Sequence, residues 1–257
     1  MSLKKIKMFQ AHFHGVGFDL HRHDSYAIGR TISGIHCFNY RGKKQYSQPG
    51  NTIALFPDEL HDGSAGDENG FGYRIVYIEP SIIQEVLGGK PLPYINDGVS
   101  NDHRLFRALD FLDKPITGDL DSLEESNIIF EISSALSEVS SKRRGRVAYD
   151  YKAAEIARDM LSESLDQSIS IEDLAKITGR SKWSLTRDFR ALFGTSPYRY
   201  LIMRRIDKVK ELLVRGEALA DVALKTGFVD QSHMTNTFKQ TVGISPLSWL
   251  KLTIAIV

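Results

Sequence analysis

The first 80 residues place short apolar runs between turn-forming residues, a pattern typical of β-strands. β-branched and aromatic residues fill the runs, and Gly, Pro, Asn or Asp ends them. Strands are predicted over residues 26–32, 35–40, 52–56 and 71–78. The segments RGKK after Tyr40 and QPGN at 48–51 are predicted turns, and residues 62–70 a flexible tip. Strands this short and regularly broken predict a small barrel or sandwich.

A period of three to four residues replaces this alternation after Pro80 and predicts helices over 81–87, 103–113 and 122–140. One face of the last helix is apolar and consists of Leu123, Ile128, Ile129, Ile132, Leu136 and Val139. That face either covers its own domain or forms a dimer seam, and the pattern leaves both open. The polar, basic segment SKRRGR at 141–146 is the predicted linker between domains of residues 1–142 and 147–257.

Helical periodicity continues from Val147, and one motif occurs twice. Residues 174–197 are LAKITGRSKWSLTRDFRALFGTSP, and residues 222–246 are VALKTGFVDQSHMTNTFKQTVGISP. Each copy has a glycine between two short amphipathic helices, which is typical of a helix-turn-helix. An apolar stripe must lock the two helices together. It is predicted as Leu174, Ala175, Ile177, Leu185 and Phe189 in the first copy, and Val222, Ala223, Phe228, Met234 and Phe238 in the second.

Turn and cap residues fit the same interpretation. Gly179 and Gly227 suit the left-handed backbone of the turns, and Ser170 is a predicted N-cap. Ser196 before Pro197 predicts a connecting helix over about 197–214. Such a helix rises roughly 26 Å at about 1.5 Å per residue. It would set the second helices of the two copies about 34 Å apart, one turn of duplex DNA.

The remaining positions on each second helix are polar. They are Ser181, Lys182, Trp183, Ser184, Thr186, Arg187 and Arg190 in the first copy, and Gln231, Ser232, His233, Thr235, Asn236 and Lys239 in the second. Arg, Gln, Asn and His bind base edges, whereas Ser, Thr and Lys tend to hold phosphates. A solvated face is the alternative for any one of these residues. Two such faces, each after a glycine turn, favour sequence-directed DNA binding through an asymmetric site with two unlike halves.

The charge distribution supports this division of roles. The net charge of +1 over 257 residues gives no sign of a nucleic-acid binder. Residues 1–142, however, hold 14 basic and 19 acidic residues, whereas residues 143–257 hold 19 basic and 13 acidic residues. A basic half suits contact with phosphates. The single cysteine, Cys37, excludes an internal disulfide and a cysteine-based zinc site. We expect neither a signal peptide nor a membrane helix, and a cytoplasmic location.

Residues 150–251 resemble the DNA-binding domain of the AraC/XylS family of bacterial transcription regulators. The resemblance rests on LAKITGRSKWSLTRDFRALFGTSPYRYL, the connecting RIDKVKELL, and DVALKTGFVDQSHMTNTFKQTVGISPLSWL. It implies that the helices starting near Ser181 and Gln231 are recognition helices. Two positions depart from the family pattern. Val209 replaces a small residue of the connecting helix, and Asn236 stands where arginine is frequent, which puts base preference there in question.

The segments HRHDSYAIG at 21–29 and PDELHDG at 57–63 resemble the metal motifs of cupins. The cupin pattern wants a glutamate where Ala27 and Ile28 stand, so one of four ligands is missing. A site made of three histidines stays open, although we expect no metal or other cofactor. Together with FNYRG, QPGNTIALFPDELHDG and YRIVYIEP, these segments resemble the cupin-like effector domain of the same regulators. The resemblance implies a small-molecule site formed by some of His21, His23, Tyr26, His61, Arg74 and Tyr77.

The predicted fold class is therefore α+β, with an N-terminal cupin-like β-barrel and covering helices, and a C-terminal all-α domain with two helix-turn-helix units. The predicted function is sequence-specific transcription regulation under the control of a small-molecule effector. The predicted partners are double-stranded DNA, the effector, a second copy in a homodimer, and RNA polymerase. Two alternatives stay open. One is a metal-dependent cupin enzyme with a helical appendage, and the other is a constitutive DNA-binding dimer.

Overall fold

The computed structural model describes residues 6–113, 120–140 and 148–254, and the side chains up to residue 251. Two compact units are present. The first contains the chain up to Leu20, Asp24–Tyr149 and Ala191–Gly194, and the second contains His21–His23, Asp150–Arg190 and Thr195–Val257. The predicted linker at 141–146 lies outside the described residues. Within the described ranges, no helix is long and apolar enough to cross a membrane.

Two antiparallel sheets form the body of the first unit. The strands are β1 (Ile6–Phe13), β2 (Val16–His21), β3 (Tyr26–Gly34), β4 (His36–Tyr40), β5 (Lys43–Ser47), β6 (Thr52–Leu55), β7 (His61–Ala65), β8 (Phe71–Ile78) and β9 (Val99–Ser100). One sheet has the order β1-β8-β3-β6-β9, and the other β2-β7-β4-β5. The predicted strands are present. The predicted tip at 62–70 is shorter than expected, because β7 occupies its first four residues.

Both faces of the five-stranded sheet are buried, and each has its own apolar cluster. Ala27, Ile53 and Ile75 pack with Phe38 and other residues of the second sheet, in what we call the interior. The Thr31 and Ser47 hydroxyl oxygens, 2.7 Å apart, join the two sheets there. The opposite face carries Ile28, Val76 and Ile78 and packs against helices. Burial on both faces hides the alternation of polar and apolar residues that marks a half-exposed strand.

Helices cover that second face. They are α1 (Pro80–Leu87), α2 (His103–Arg107), a 3₁₀ helix (Asp110–Asp113) and α3 (Ser122–Val139). The single helix predicted over 103–113 is thus broken in two. The buried Arg30 of β3 stabilises the 3₁₀ helix after the break, because its guanidinium lies 2.6 Å from Asp110 Oδ1 and 2.8 Å from Asp113 Oδ2. On α3 the predicted stripe covers its own unit, except that Leu123 is 81% exposed.

The second unit is helical throughout its described part from Asp150 onward. Its helices are α4 (Tyr151–Glu163), α5 (Ile171–Thr178), α6 (Lys182–Phe193), α7 (Pro197–Val214), α8 (Leu219–Lys225), α9 (Gln231–Val242) and α10 (Pro246–Ile254). The two repeats become the helix pairs α5–α6 and α8–α9, which α7 connects. Ser170 and Ser196 cap α5 and α7 as predicted, with Ser196 Oγ accepting a hydrogen bond from Arg199 N at 3.3 Å.

Each pair buries one face of its second helix. Phe189 of α6 and Phe238 of α9 are fully buried. Val209 of α7 is also fully buried and packs in the core of the second pair, so this larger residue is accommodated. Ile177 departs from the predicted stripe and is 55% exposed. It precedes the C-terminal residue of α5.

The two turn glycines have the same backbone conformation in different surroundings. Gly179 has φ +66° and Gly227 has φ +72°, the left-handed region predicted for both. A Cβ at Gly179 would meet nothing within 4 Å. At Gly227 it would come 2.5 Å from the Leu165 carbonyl oxygen, which accepts a 2.8 Å hydrogen bond from Arg205 Nε. The second turn is therefore closed by a backbone contact that the first one lacks.

Alanine substitution should destabilise the protein more at the second turn than at the first. Both variants carry the strain of a left-handed residue, about 1–2 kcal/mol. Gly227→Ala adds a backbone collision, and we expect it to lower the free energy of unfolding by about 3 kcal/mol or more, against about 1 kcal/mol for Gly179→Ala. Both tryptophans, Trp183 and Trp249, belong to the second unit, so urea unfolding followed by tryptophan fluorescence reports it alone. Equal losses in the two variants would contradict this account.

Candidate functional site

The second helix of the first repeat, α6, presents a polar face to solvent. Trp183 is 77% exposed, and Lys182, Arg187 and Arg190 are exposed on the same helix. Lys182 Nζ lies 3.1 Å from Glu172 Oε1 on α5 and 5.4 Å from the centre of the Trp183 ring. Cations beside a flat ring are the groups that proteins use against phosphates and bases. The face is therefore suited to contact nucleic acid.

Three of the predicted contact residues at or just before α6 are hydrogen-bonded or half-buried within the fold. Ser181 caps the helix, because its Oγ accepts a hydrogen bond from Ser184 N at 3.2 Å. The two serine hydroxyl oxygens are themselves 3.1 Å apart. Thr186 is half-buried and lines a mostly apolar cavity of about 410 Å³ among α4, α5, α6 and α7. Ser184 and Thr186 are half-buried and therefore less available to DNA than the exposed side chains.

A buried carboxylate, Asp188, holds the arginine at the centre of this face. Asp188 is fully buried. Its Oδ1 accepts hydrogen bonds from Arg187 Nε at 3.0 Å and Nη2 at 2.8 Å. Its Oδ2 accepts one from Arg180 Nη2 at 2.8 Å and one from Asp150 N at 3.2 Å. Asp188 therefore ties α6 to the turn before it and to the start of α4, and it fixes the direction of Arg187.

The second helix of the second repeat, α9, presents a different set of groups. Gln231, Ser232, His233, Asn236 and Lys239 are exposed, and Thr235 is half-buried. Asp230 caps the helix by accepting a hydrogen bond from His233 N at 2.7 Å. The His233 ring is edge-on to Phe228, with the ring centres 5.4 Å apart. The amides of Gln231 and Asn236 thus stand where α6 carries Lys182 and Arg187, and Ser232 stands where it carries Trp183.

Two of the six predicted effector residues lie on the helix-covered face of the sheet. The Tyr26 hydroxyl donates a 2.6 Å hydrogen bond to the Pro93 carbonyl oxygen, and the ring packs in the outer cluster. Arg74 is the cross-strand partner of Arg30 and donates from Nε to Gln10 Oε1 at 2.9 Å. Residues of β3 and β8 with this parity point toward the helices. The structure therefore separates Tyr26 and Arg74 from the interior.

Two other predicted residues, His61 and Tyr77, face the interior. His61 is buried and pairs across the strands with Tyr40 of the interior cluster. Its Nδ1 lies 2.9 Å from the Glu59 carbonyl oxygen. Because a carbonyl oxygen only accepts, Nδ1 carries the proton in this geometry. Tyr77 packs against the same cluster, and burial raises its pKa to about 12.

The last two predicted residues, His21 and His23, belong to the second unit. His21 ends β2 and His23 lies beyond it, so the two histidines do not share a strand. Their ring centres are 6.1 Å apart. Among the residues that the structure describes, no group of three or more His, Cys, Asp or Glu could hold a metal ion. The three histidines therefore do not form the site that the sequence left open.

Sequence reasoning missed two buried polar residues, although both have a signal. Asp188 occupies a position of the apolar stripe of α6, three residues after Leu185 and one before Phe189. His36 shares the parity of Phe38 and lies in the interior, 4% exposed. Burial lowers the pKa of His36 to about 4, against a smaller opposing effect of Asp62. A polar residue at an apolar position of a regular pattern was the available sign in each case.

Comparisons with known proteins agree with this geometry. A family model described as a helix-turn-helix domain matches residues 174–252, and one described as an AraC-like ligand binding domain matches residues 5–132. The uncharacterized HTH-type transcriptional regulator YbfI of Bacillus subtilis (strain 168) is 29% identical over 223 residues, which cover 84% of this chain and 81% of that protein. The HTH-type transcriptional activator AarP of Providencia stuartii is 32% identical over 108 residues, 39% of this chain and 80% of that protein.

A solved structure shares the whole fold. ToxT from Vibrio cholerae has a TM-score of 0.67 at 15% identity, over 96% of this chain and 98% of that one. At this identity the likeness shows the arrangement of elements alone. It covers both the sheet-containing part and the helical part, so the α+β fold class predicted from the sequence is confirmed.

Removing the charge of Asp188 should destabilise the second unit. We expect Asp188→Asn to lower the free energy of unfolding of the second unit by about 2–3 kcal/mol, because the buried position loses charge-assisted hydrogen bonds. Asp159→Asn is the matched control, since Asp159 also follows its arginine partner but is 53% exposed. An exposed pair should cost at most about 1 kcal/mol. Urea unfolding followed by tryptophan fluorescence measures both, and similar losses would contradict the role of Asp188.

Proposed function

The chain belongs to the AraC family of DNA-binding transcription regulators, and from this premise we propose that α6 and α9 bind an asymmetric DNA site under the control of a small molecule held in the first unit. One observation carries the proposal. The two helix pairs share a scaffold but expose different polar side chains. Its relatives are transcription regulators, and we infer no catalytic activity for this chain.

Three features support DNA recognition by these helices. Arg187 is aimed by a buried carboxylate, and a pre-oriented arginine suits the two acceptors of guanine. Asn236, with Gln231 five residues earlier, offers amides of the type that bind adenine. Lys182, Arg190 and Lys239 are exposed cations suited to phosphates. Because the two faces differ, we propose that a single chain binds two unlike half-sites about 34 Å apart along the duplex.

We further propose that an effector binds in the interior of the first unit, among residues that include His61 and Tyr77. The buried aromatic rings there offer apolar surface, and the few polar groups give direction to a bound molecule. The effector can alter DNA binding only as far as it binds one arrangement of the protein better than another. A flat response of DNA affinity to every small molecule tried would favour the constitutive alternative.

A homodimer formed through α3 is part of the same proposal, as are a cytoplasmic location and contact with RNA polymerase. Leu123 and Phe130 are 81% and 55% exposed and lie seven residues apart, on one face of the helix. The opposite face of α3 is already buried against its own sheet. An exposed apolar pair at heptad spacing is typical of a helix that packs on a second helix.

A charge on this face should prevent dimerisation. We expect Phe130→Glu to sediment as a monomer at concentrations where the unmodified chain is dimeric, because a carboxylate at the seam must be desolvated. Tyr46→Glu is the control, since Tyr46 is an aromatic residue of β5 that is 59% exposed. Sedimentation equilibrium of the full chain measures the mass. A Phe130→Glu variant that remains a dimer would contradict the α3 interface.

Substitutions on the two helices should weaken binding to a duplex recovered from a random library by the unmodified chain. We expect Arg187→Ala and Asn236→Ala each to lower affinity by about 10- to 100-fold, because a lost base contact costs about 1–3 kcal/mol. The loss should arise at a different half-site in each variant. Fluorescence anisotropy at fixed salt measures affinity, with base substitutions in each half of the duplex.

Arg104→Ala is the control for these variants. Arg104 lies on α2 of the first unit, pairs with Asp102 at 2.7 Å and is 45% exposed. Its loss should leave DNA affinity unchanged. If Arg187→Ala binds the duplex as tightly as the unmodified chain, α6 is not a recognition helix and the proposal fails.

A further inference from the structure

His36 is a buried imidazole for which the fold supplies no hydrogen-bond partner. It begins β4 and is 4% exposed. Neither Nδ1 nor Nε2 has a donor or acceptor within reach in the described structure. Buried polar groups in folded proteins are nearly always paired, since an unmade hydrogen bond is costly. An imidazole left in this state is a position where an added molecule would supply the missing partner.

Aromatic rings cover one face of the imidazole and flank it. Phe71 is stacked on it, with ring centres 4.3 Å apart and planes 5° apart. Tyr73 is also nearly parallel, with ring centres 5.5 Å apart. Phe38 is tilted at 5.1 Å, and Phe18 meets the imidazole edge to face at 5.9 Å. The ring nitrogens lie in the plane of the imidazole, so a partner has to approach along its edge.

Phe18 occupies a slot that a glycine leaves open. A Cβ at Gly63 of β7 would overlap the Phe18 ring, so the ring rests directly on the bare backbone of that residue. Phe18 is half-buried, and its ring also meets His61, with ring centres 6.3 Å apart. It belongs to β2, which is an edge strand of the four-stranded sheet and has one neighbour. This ring therefore fills space beside both interior histidines and lies on a strand that is paired on one side.

We propose that an uncharged planar ligand, one or two rings in size, displaces Phe18 from this slot and hydrogen-bonds to His36. A neutral imidazole offers one donor and one acceptor, so a hydroxyl or amide group on the ligand can pair with it. The stacked rings supply a flat apolar surface for the rest of the molecule. This ligand is the effector of the proposed function, but its binding is testable without DNA.

The charge of the ligand follows from the surroundings. His36 is neutral near pH 7, because burial lowers its pKa to about 4. Burial also raises the pKa of Tyr73 and Tyr77, so both phenols keep their protons. The four rings around His36 carry no charge, and an anion brought among them would lose its hydration without gaining a counter-ion. A neutral compound is therefore favoured over a carboxylate of the same shape.

Three probes of one ring size test the proposal on the full-length chain. Phenol can pair with His36, toluene fills the same space without a hydrogen bond, and benzoate carries a charge. We expect phenol to bind about tenfold more tightly than toluene, the effect of one buried hydrogen bond, and benzoate to bind least. In ¹H–¹⁵N spectra of the histidine rings, phenol should shift the His36 nitrogens. Equal binding of phenol and toluene, or unmoved His36 signals, would overturn the proposal.

Two variants and a control test the roles of His36 and Phe18 in ligand binding. His36→Phe should remove the preference for phenol over toluene, and Phe18→Ala should raise the affinity for both by opening the slot. Phe9→Ala is the control, because Phe9 also touches Tyr73 but is 45% exposed. If His36→Phe does not fold, the spectra of the unmodified chain decide alone. Unchanged affinities in Phe18→Ala would also overturn the proposal.

The two proposals can fail separately. Loss of sequence preference in the anisotropy experiment would overturn DNA recognition and leave a positive phenol result standing. Failure of phenol to reach His36, with sequence-specific DNA binding retained, would overturn only the neutral-ligand site.

Discussion

Burial of one phenylalanine in each second helix, Phe189 in α6 and Phe238 in α9, determines which side chains face solvent. A short helix that buries a large ring on one side must expose the opposite side. Both rings are fully buried, and both lie at the same place in the repeat. The repeated residues therefore build two similar supports, while the residues between them are free to differ. The proposed recognition of two unlike half-sites depends on this separation of scaffold and contact positions.

Helical periodicity predicted the second unit well, because each helix has one buried and one exposed face. The predicted connecting helix over about 197–214 is α7, Pro197–Val214. The first unit was harder to predict. Its central strands are buried on both sides, so every position of β3 from Tyr26 to Thr31 is buried and alternation cannot tell one face from the other. For that reason Tyr26 and Arg74 were grouped with His61, although the fold places them behind the sheet.

Buried polar residues at apolar positions were the second feature that the sequence pattern did not predict. Asp188 interrupts the stripe of α6, and His36 interrupts the aromatic residues of the interior, yet periodicity treats each as an exception. Their roles depend on partners that are distant in sequence, such as Asp150 for Asp188 and Phe71 for His36. Only the folded chain brings these partners together. One of these residues lies in the helix-turn-helix unit and the other in the sheet-containing unit, and the core encloses both.

The central claim is that one chain recognises two different half-sites. The most direct test uses the duplex selected by the protein and a second duplex in which the two half-sites are exchanged while their spacing and outer flanks are kept. Binding of the full chain to both is measured by anisotropy at the same salt concentration. We predict a loss of at least about tenfold for the exchanged duplex, since each helix then faces the wrong bases. Equal affinity for the two duplexes would contradict the account.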